Sequence, residues 1–374
     1  MKAIVTVIND LNTDQRVHRT CMLLQELGYE VTLVGRRLNS SAKMSERPYH
    51  CVRFKLWFEK GPMFYIHFNI RLFFYLLFTK SDLLFSNDLD TLAPCFVTKN
   101  IRNISLVYDS HEYFTEVPEL TNRPAIQKIW KRLEKFLLKR ITSLITVNQS
   151  IANLYSNQYR IKTFVVRNVP LKLHSISHSD KSKEVAQLIS PHTNMIILQG
   201  SGINIDRGAE EAVMAMKLVN NATLLIIGGG DVIDQLKHLC EVNHLTKRVV
   251  FLPRMPYQEM MQYTMQASIA LSLDKDTNIN YRFSLPNKLF DYIQARVPVL
   301  VSNLKEVASI VNEYQIGKIC NKVTPESIAE CMNEMLTDTE RLKHYKRQLE
   351  IAANELHWEK EKNQLIKAIE YAKG

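Results

Sequence analysis

No Cys-x-x-Cys pair occurs in this chain. Its six cysteines (Cys21, Cys51, Cys95, Cys240, Cys320 and Cys331) are scattered, which argues against a zinc site or a disulfide framework and for reduced thiols in a cytoplasm. Long hydrophobic runs are missing as well. The opening "MKAIVTVI" meets Asn9 and Asp10 too soon for a signal peptide or a membrane span. "GPMFYIHFNIRLFFYLLFTK" (61–80) is interrupted by His67, Asn69 and Arg71, so it does not cross a bilayer either. Low-complexity tracts and short repeats are absent. "LLIIGGGD" (224–231) has consecutive glycines, so the Gly-x-Gly-x-x-Gly dinucleotide loop is not met; tight turning is the expected role, and NAD is disfavoured.

What is present is a folding sequence with a lopsided charge. Its 374 residues are 46% hydrophobic, enough to fill real cores in two or three domains. The net charge of +10 lies in the first half, where residues 1–170 hold 24 Lys+Arg against 14 Asp+Glu. Such asymmetry points to an anionic partner: membrane lipid, a phosphate-bearing acceptor or nucleic acid. No nucleic-acid docking motif accompanies the charge, and none is expected to bind.

Apolar β-branched runs alternate with helical stretches in both halves. "KAIVTVI" (2–8), "EVTLVG" (30–35), "DLLFS" (82–86), "ISLVYD" (104–109), "SLITV" (143–147) and "TFVVRN" (163–168) read as strands of a first parallel sheet covered on both faces. "NMIILQG" (194–200), "ATLLIIGGG" (222–230), "RVVFLP" (248–253), "SIALSL" (268–273) and "VPVLVS" (297–302) read as a second. The expected α/β architecture is two Rossmann-like, doubly wound domains: 1–170, a linker with a short helix over 171–190, and 191–350. Helices are expected over 325–337 and, unbroken, over 339–372, with residues 351–374 crossing back to the first domain. Ligands of open α/β sheets bind beyond the strand C-termini, so the expected site is a central cleft between the domains.

Several constellations fall on that edge. "RFSLPNKLFDYIQARVPVLVS" (282–302) opens a helix that Ser284 or Asn287 is expected to cap, with Pro286 in its first turn and free amides that attract an anion. Lys288 sits at the dipole's positive end, tolerable where a phosphate lies between, and Asp291 suits two ribose hydroxyls because a carboxylate only accepts. The alternative is an amphipathic helix with Lys288 and Asp291 solvated. "GSGINIDRGAEEAV" (200–213) is a second anion candidate, with Arg207 and Gly208 at a helix start. "NDLD" (87–90) is expected to serve a loop or acceptor role through Asp88 and Asp90 rather than a metal. "YDSHEYFTEVPEL" (108–120) offers His111, beside Glu112 and other acids, as the catalytic candidate of the first half, titrating near neutrality, or else a surface loop. The aromatic helix over 61–80 is either buried or dips into a membrane interface, the latter supported by the basic "WKRLEKFLLKR" (130–140).

These residues resemble GT-B glycosyltransferases, most closely glycosyltransferase family 4. "NDLNTDQRVHRTCMLLQELGYEVTLVGR" (9–36), "DSHE", "LITVNQSIANLY" and "VVRNVP" follow the family's order in the first half. "RGAEEAVMAM", "LLIIGGG", "RVVFLPRMPYQEMMQYTMQASIALSL" and "SLPNKLFDYIQARVPVLVS" follow it in the second. The resemblance implies a retaining, metal-independent transferase with no tightly bound cofactor and a UDP- or GDP-sugar as donor. It assigns Arg207, Lys288 and Asn287 to the donor diphosphate and sugar, Arg254 and Met255 to the nucleobase, and Asp291 to the ribose. Gly202 and Gly228 join the donor set, His111 the donor sugar, and Arg16, on the first loop, the acceptor side with Asp88, Asp90 and Glu112. The sequence departs from the family at three points. No acid stands eight residues before Asp291, Arg296 occupies a usual glycine, and the first loop lacks Gly-Gly.

The expected activity is transfer of a sugar from a nucleotide-diphosphate sugar to a glycan or lipid-linked acceptor, in cell-surface polysaccharide or glycoconjugate synthesis. The expected place is the cytoplasm or the inner face of the membrane, with anionic lipid met through the basic first domain. A sugar-nucleotide 2-epimerase and a non-catalytic sugar-nucleotide-binding scaffold are the alternatives.

Overall fold

Strands that are apolar along both faces need helices above and below them, and the chain meets that demand twice. A computed structural model describes all residues except 13, 42, 45, 174–183, 185–188 and 190–192. It divides into two units, Met1–Asn168 with Lys362–Gly374, and Val169–Glu361. Most of the expected 171–190 linker and its short helix lie outside the described residues.

The first unit builds a parallel sheet from β1 (Lys2–Asp10), β2 (Glu30–Arg37), β3 (His50–Lys55), β4 (Leu83–Asn87), β5 (Ser105–Ser110), β6 (Ser143–Thr146) and β7 (Lys162–Val165). Their order is β3-β2-β1-β4-β5-β6-β7. The second unit repeats the plan with β8 (Asn194–Gly200), β9 (Ala222–Gly228), β10 (Val249–Leu252), β11 (Ile269–Ser272), β12 (Val299–Ser302) and β13 (Gly317–Cys320), in the order β10-β9-β8-β11-β12-β13. In each sheet the chain leaves its first strand toward one edge and returns to that strand's other side, at β4 and β11. Those two reversals create the switch points at which open α/β sheets hold ligands.

Alternation along the central strands of the second sheet feeds two cores. Ile196, Leu198, Leu224 and Ile226 point into one, and Met195, Ile197, Leu225 and Ile227 into the other. β4, β6, β11 and β12 are buried at every residue. The unexpected strands are edges: β3 and β13 end their sheets, carry charge, and are only partly covered.

The single long helix expected over 339–372 is two, Thr339–Glu355 and Trp358–Lys373. Trp358 N–H donates to the Pro170 carbonyl (2.9 Å) instead of to the helix ladder, and the His357 ring bonds Glu359 and the Asn354 carbonyl. The helix that follows Gly208 is regular only over Ala209–Ala215.

Helix Gly61–Phe78 buries Phe64, Phe68, Leu72 and Leu76, one residue per turn. Leu72 is wholly buried and Ile70 is 53% exposed. Leu72→Ala is therefore expected to cost roughly 2–5 kcal/mol in urea denaturation, and Ile70→Ala within about 0.5 kcal/mol of nothing. Equal effects would refute the orientation of this helix.

Candidate functional site

In the second unit the site is assembled by a glycine turn pressed onto a strand end. Gly208 has φ +71°, and a Cβ there would lie 2.3 Å from the Leu273 carbonyl, so the turn tolerates no side chain at this position. Lys275 fastens the same turn: its N–H donates to the Asp206 carbonyl (2.9 Å), and its Nζ meets Glu211 (2.5 Å) and Asp206 (3.8 Å). The close approach sets Arg207 beside Asp274, the second residue beyond β11.

Asp274 is 1% exposed and receives two cations. Arg207 Nη1 lies 3.2 Å from Oδ2, and Lys288 Nζ lies 3.8 Å from Oδ1. The Arg207 guanidinium also lies over the Tyr281 ring, 4.9 Å from its centroid. Burial holds the Lys288 pKa below its ordinary value, Asp274 opposes that shift, and Arg207 adds to it. Two cations thus meet one buried carboxylate at the strand end, beside the N-terminus of helix Asn287–Gln294. Neither Ser284 nor Asn287 caps that helix. Its N-cap is Pro286, which makes no side-chain bond there, and Asn287 is the exposed first helical residue.

Asp291, one turn after Lys288, accepts from Tyr257 Oη (2.8 Å) and Gln199 Nε2 (3.4 Å). Gln199 is fixed in turn by Thr264 Oγ1 (2.6 Å) and by the Tyr292 hydroxyl, which accepts its N–H (3.2 Å). The glycines of "LLIIGGGD" do turn tightly. A Cβ at Gly228 would lie 1.8 Å from the Gly200 carbonyl, and one at Gly230 2.1 Å from that of Ile203. Gly202 meets only ordinary contacts from Asn204. Arg254 spreads over Gly229 and donates to the Ser201 carbonyl (2.5 Å), with half-buried Met255 next to it. The second unit thus gathers Arg207 and Lys288 on Asp274. Asp291 has its own polar network, and Arg254 holds the backbone beyond β8.

The first unit carries a buried charge cluster at the ends of β4 and β5. Arg16 lies in helix Gln15–Glu26 rather than on the loop before it, and is 3% exposed. Its guanidinium grips Asp109 with Nε (2.9 Å) and Nη2 (2.7 Å), and donates from Nη1 to the Val166 carbonyl (2.8 Å). His111 faces acceptors from both ring nitrogens: Nδ1 is 3.4 Å from Asp88, and Nε2 is 3.5 Å from Asp109 and 3.2 Å from Asn87 Oδ1. Burial works against the imidazolium, but Asp88 and Asp109 outweigh it and raise the His111 pKa to about 9. It is therefore charged throughout neutrality instead of titrating there.

Asp88 adopts φ +57°, ψ 166°, a region a side chain rarely enters and one that costs roughly 1–3 kcal/mol. Its N–H donates to the Asp109 carbonyl (2.8 Å) and its Oδ1 accepts the His111 N–H (2.9 Å), which hold the strained residue against the histidine. Asp90 lies in the first turn of helix Leu89–Arg102, with its pKa driven well up by burial and by Asp88. Glu112 is exposed. Among the described residues no cluster of three or more His, Cys, Asp or Glu side chains is placed to hold a metal ion.

Sequence reasoning missed Asp274, Gln199 and Tyr257, and gave Asp109 only as one of the acids beside His111. Asp109 and Asp274 follow apolar runs, the one signal that marked them.

Asp109→Asn is expected to destabilise the protein by about 3–5 kcal/mol in urea, because Arg16 is left as an unmatched buried charge. A loss below about 1 kcal/mol would contradict the pairing. The His111 contribution is complete below its unfolded value of 6.5 and disappears as pH rises through about 9. That of Asp109, held at about 2 by Arg16 and then His111 against burial, disappears only as pH falls from 3.8 through that value. Stability is thus expected to decline from pH 6.5 to 9 in the parent, with this component missing in His111→Gln; identical alkaline profiles would refute the charged histidine.

The comparisons with known proteins agree with this architecture. A family model described as Glycosyltransferase Family 4 matches residues 14–169, and one described as Glycosyl transferases group 1 matches residues 180–355. Among solved structures, a sucrose-phosphate synthase from Thermosynechococcus elongatus superposes with a TM-score of 0.79 at 15% identity, covering 98% of this chain and 97% of that one. A glycosyltransferase from Rickettsia africae gives 0.77 at 11%, covering 99% and 98%. HepE from Anabaena, in complex with UDP and glucose, gives 0.75 at 14%, covering 99% of each. At such identities the superpositions speak for the fold. No curated protein matches the chain at a significant level. With one family model on each half and the matching fold throughout, the chain belongs to the GT-B glycosyltransferases of the family-4 type.

Proposed function

We propose that the protein is a retaining transferase that moves a sugar from a nucleotide-diphosphate sugar to a glycan or lipid-linked acceptor in cell-surface polysaccharide or glycoconjugate synthesis. One observation carries the reading: Arg207 and Lys288 converge on a single buried carboxylate at the switch point of the second sheet. The two cations and the amides of helix Asn287–Gln294 suit a diphosphate.

In the proposed reaction the bond between the sugar's anomeric carbon and the diphosphate oxygen breaks, and the bonding pair stays on that oxygen. The acceptor hydroxyl oxygen bonds to the same carbon on the face the diphosphate leaves, and its proton passes to the departing diphosphate oxygen. Arg207 and Lys288 stabilise the charge appearing on the departing diphosphate, the task a divalent metal performs elsewhere. Asp291, oriented by Tyr257 and Gln199, takes the ribose; Arg254, Met255, Gly202, Gly228 and Asn287 line the rest of the donor site. His111 serves the donor sugar, while Arg16, Asp88, Asp90 and Glu112 serve the acceptor side, Arg16 through its hold on Asp109. A UDP-sugar is the favoured donor, in line with the UDP and glucose bound by HepE. The proposed setting is the cytoplasm and the inner membrane face.

Thermal-shift measurements against UDP, GDP, ADP, CMP and their sugar conjugates test the donor, since a ligand of the native state raises its melting temperature. A shift with the UDP series, lost in Arg207→Ala and in Lys288→Ala, is the expected result. Turnover unchanged in both variants would refute the mechanism, and conversion of donor without acceptor would favour the epimerase. Chelator should leave turnover intact. Asp274→Asn separates anchoring from charge: kcat is expected to fall at least about tenfold through misplaced cations, while UDP affinity holds or tightens because a negative charge is gone. Weakened UDP binding with unchanged kcat would overturn that role for Asp274.

A further inference from the structure

One face of the first unit exposes apolar side chains in a regular pattern. On helix Gly61–Phe78 the residues Met63, Ile66, Ile70, Phe74 and Phe78 follow helical spacing and are 51–81% exposed, directly opposed in role to the buried Phe64, Phe68, Leu72 and Leu76. Trp57, just before this helix, is 89% exposed. Helix Leu89–Arg102 packs beside it and helix Pro124–Leu138 beside that one, joined by ring contacts of Tyr65 with Trp130 and of Phe96 with Phe136. Val97, Ile101, Ile129 and Phe136 continue the exposed apolar surface across these neighbours. A soluble face would carry polar residues at such positions.

The charges on these helices are of one sign. Only Asp90 and Glu134 are acidic within the three, and both are buried. Arg71, Lys128, Arg132 and Lys135 are exposed among the apolar side chains, and Lys60 and Lys80 flank the first helix. No helix among the described residues is long and apolar enough to cross a membrane. Apolar side chains with a basic surround, and no exposed acid on the three helices themselves, match the acyl boundary and headgroups of an anionic lipid surface. We propose that this face, centred on helix Gly61–Phe78 with Trp57 at its end, seats in the surface of an anionic bilayer. The proposal deepens the membrane-side part of the reading above and is independent of its chemistry.

The test uses the full chain with vesicles of phosphatidylcholine alone or mixed with phosphatidylglycerol. Co-sedimentation with the mixed vesicles and not the neutral ones is expected, weakening with salt, together with a blue shift of tryptophan emission that Trp57→Phe removes. Phe74→Asp combined with Phe78→Asp should abolish binding with the melting temperature unchanged. Charge reversal of Lys128, Arg132 and Lys135 should lower binding by about a hundredfold. Equal binding to neutral vesicles, a blue shift that survives Trp57→Phe, or no binding at all would overturn the proposal. A concentration-dependent dimer, broken by the Phe74 and Phe78 substitutions and unable to bind vesicles, would assign the face to a second copy and overturn it equally. Donor-induced thermal shifts in vesicle-free solution report on the transferase reading alone, so either idea fails without the other.

Discussion

A charge taken out of water must be matched, and the sites of both units are organised by that requirement. In the second unit the buried carboxylate is Asp274, which draws Arg207 from one segment and Lys288 from another. In the first it is Asp109, which engages Arg16 through two hydrogen bonds and shares His111 with Asp88. Each acid lies at or just beyond the carboxyl end of a parallel strand near a topological switch point. The two clusters differ in what lies beside them. Arg16 is held by its internal contacts, whereas Arg207 and Lys288 converge on Asp274 beside a helix N-terminus. That arrangement suits an anion, which is why the diphosphate is assigned there.

Glycine geometry makes that convergence possible. Gly208 lets Arg207 come within reach of Asp274, while Gly228 and Gly230 let the neighbouring turn lie against the backbone of Gly200 and Ile203. Backbone approaches this close exclude side chains by sterics rather than preference. Asp88 obtains a comparable geometry without glycine. Its strained backbone is held by hydrogen bonds to Asp109 and His111, so the strain is offset within the cluster it serves.

The fold was legible where burial acts on both faces of a strand. β4, β6, β11 and β12 are apolar runs because helices cover them above and below, and such runs are visible in a sequence. β3 and β13 escaped because an edge strand keeps one side toward solvent and admits His50, Arg53 and Lys318. The break before Trp358 was invisible for another reason: helical periodicity continues through it, and the Pro170 carbonyl that interrupts it comes from a remote part of the chain. Arg207 and Lys288 could be singled out because each lies within two residues of a backbone signature, Gly208 in one case and Pro286 in the other. Asp274 has no such neighbour; it is recognisable only when the two cations are seen to converge on it. At Arg296 the family's usual glycine had a visible physical reason, since the residue is left-handed at φ +60°. Arginine endures there by bonding the Gln294 carbonyl and Glu350.

The charge asymmetry belongs to the same physics acting in reverse. A helix whose apolar residues occupy both faces would normally be sealed inside a core, yet Gly61–Phe78 covers only one of them. Burying the other against more protein would strand Arg71 and the lysines of the adjoining helix in a low-dielectric interior, at a cost that apolar contact does not return. A lipid–water boundary avoids that conflict, because it accepts apolar side chains and leaves cationic groups among headgroups and water. The excess of Lys and Arg in the first unit therefore need not be explained by the donor, whose phosphates the second unit is equipped to meet. The separation of charge along one chain is thereby assigned to two proposed anionic partners of different kinds, a diphosphate and a surface.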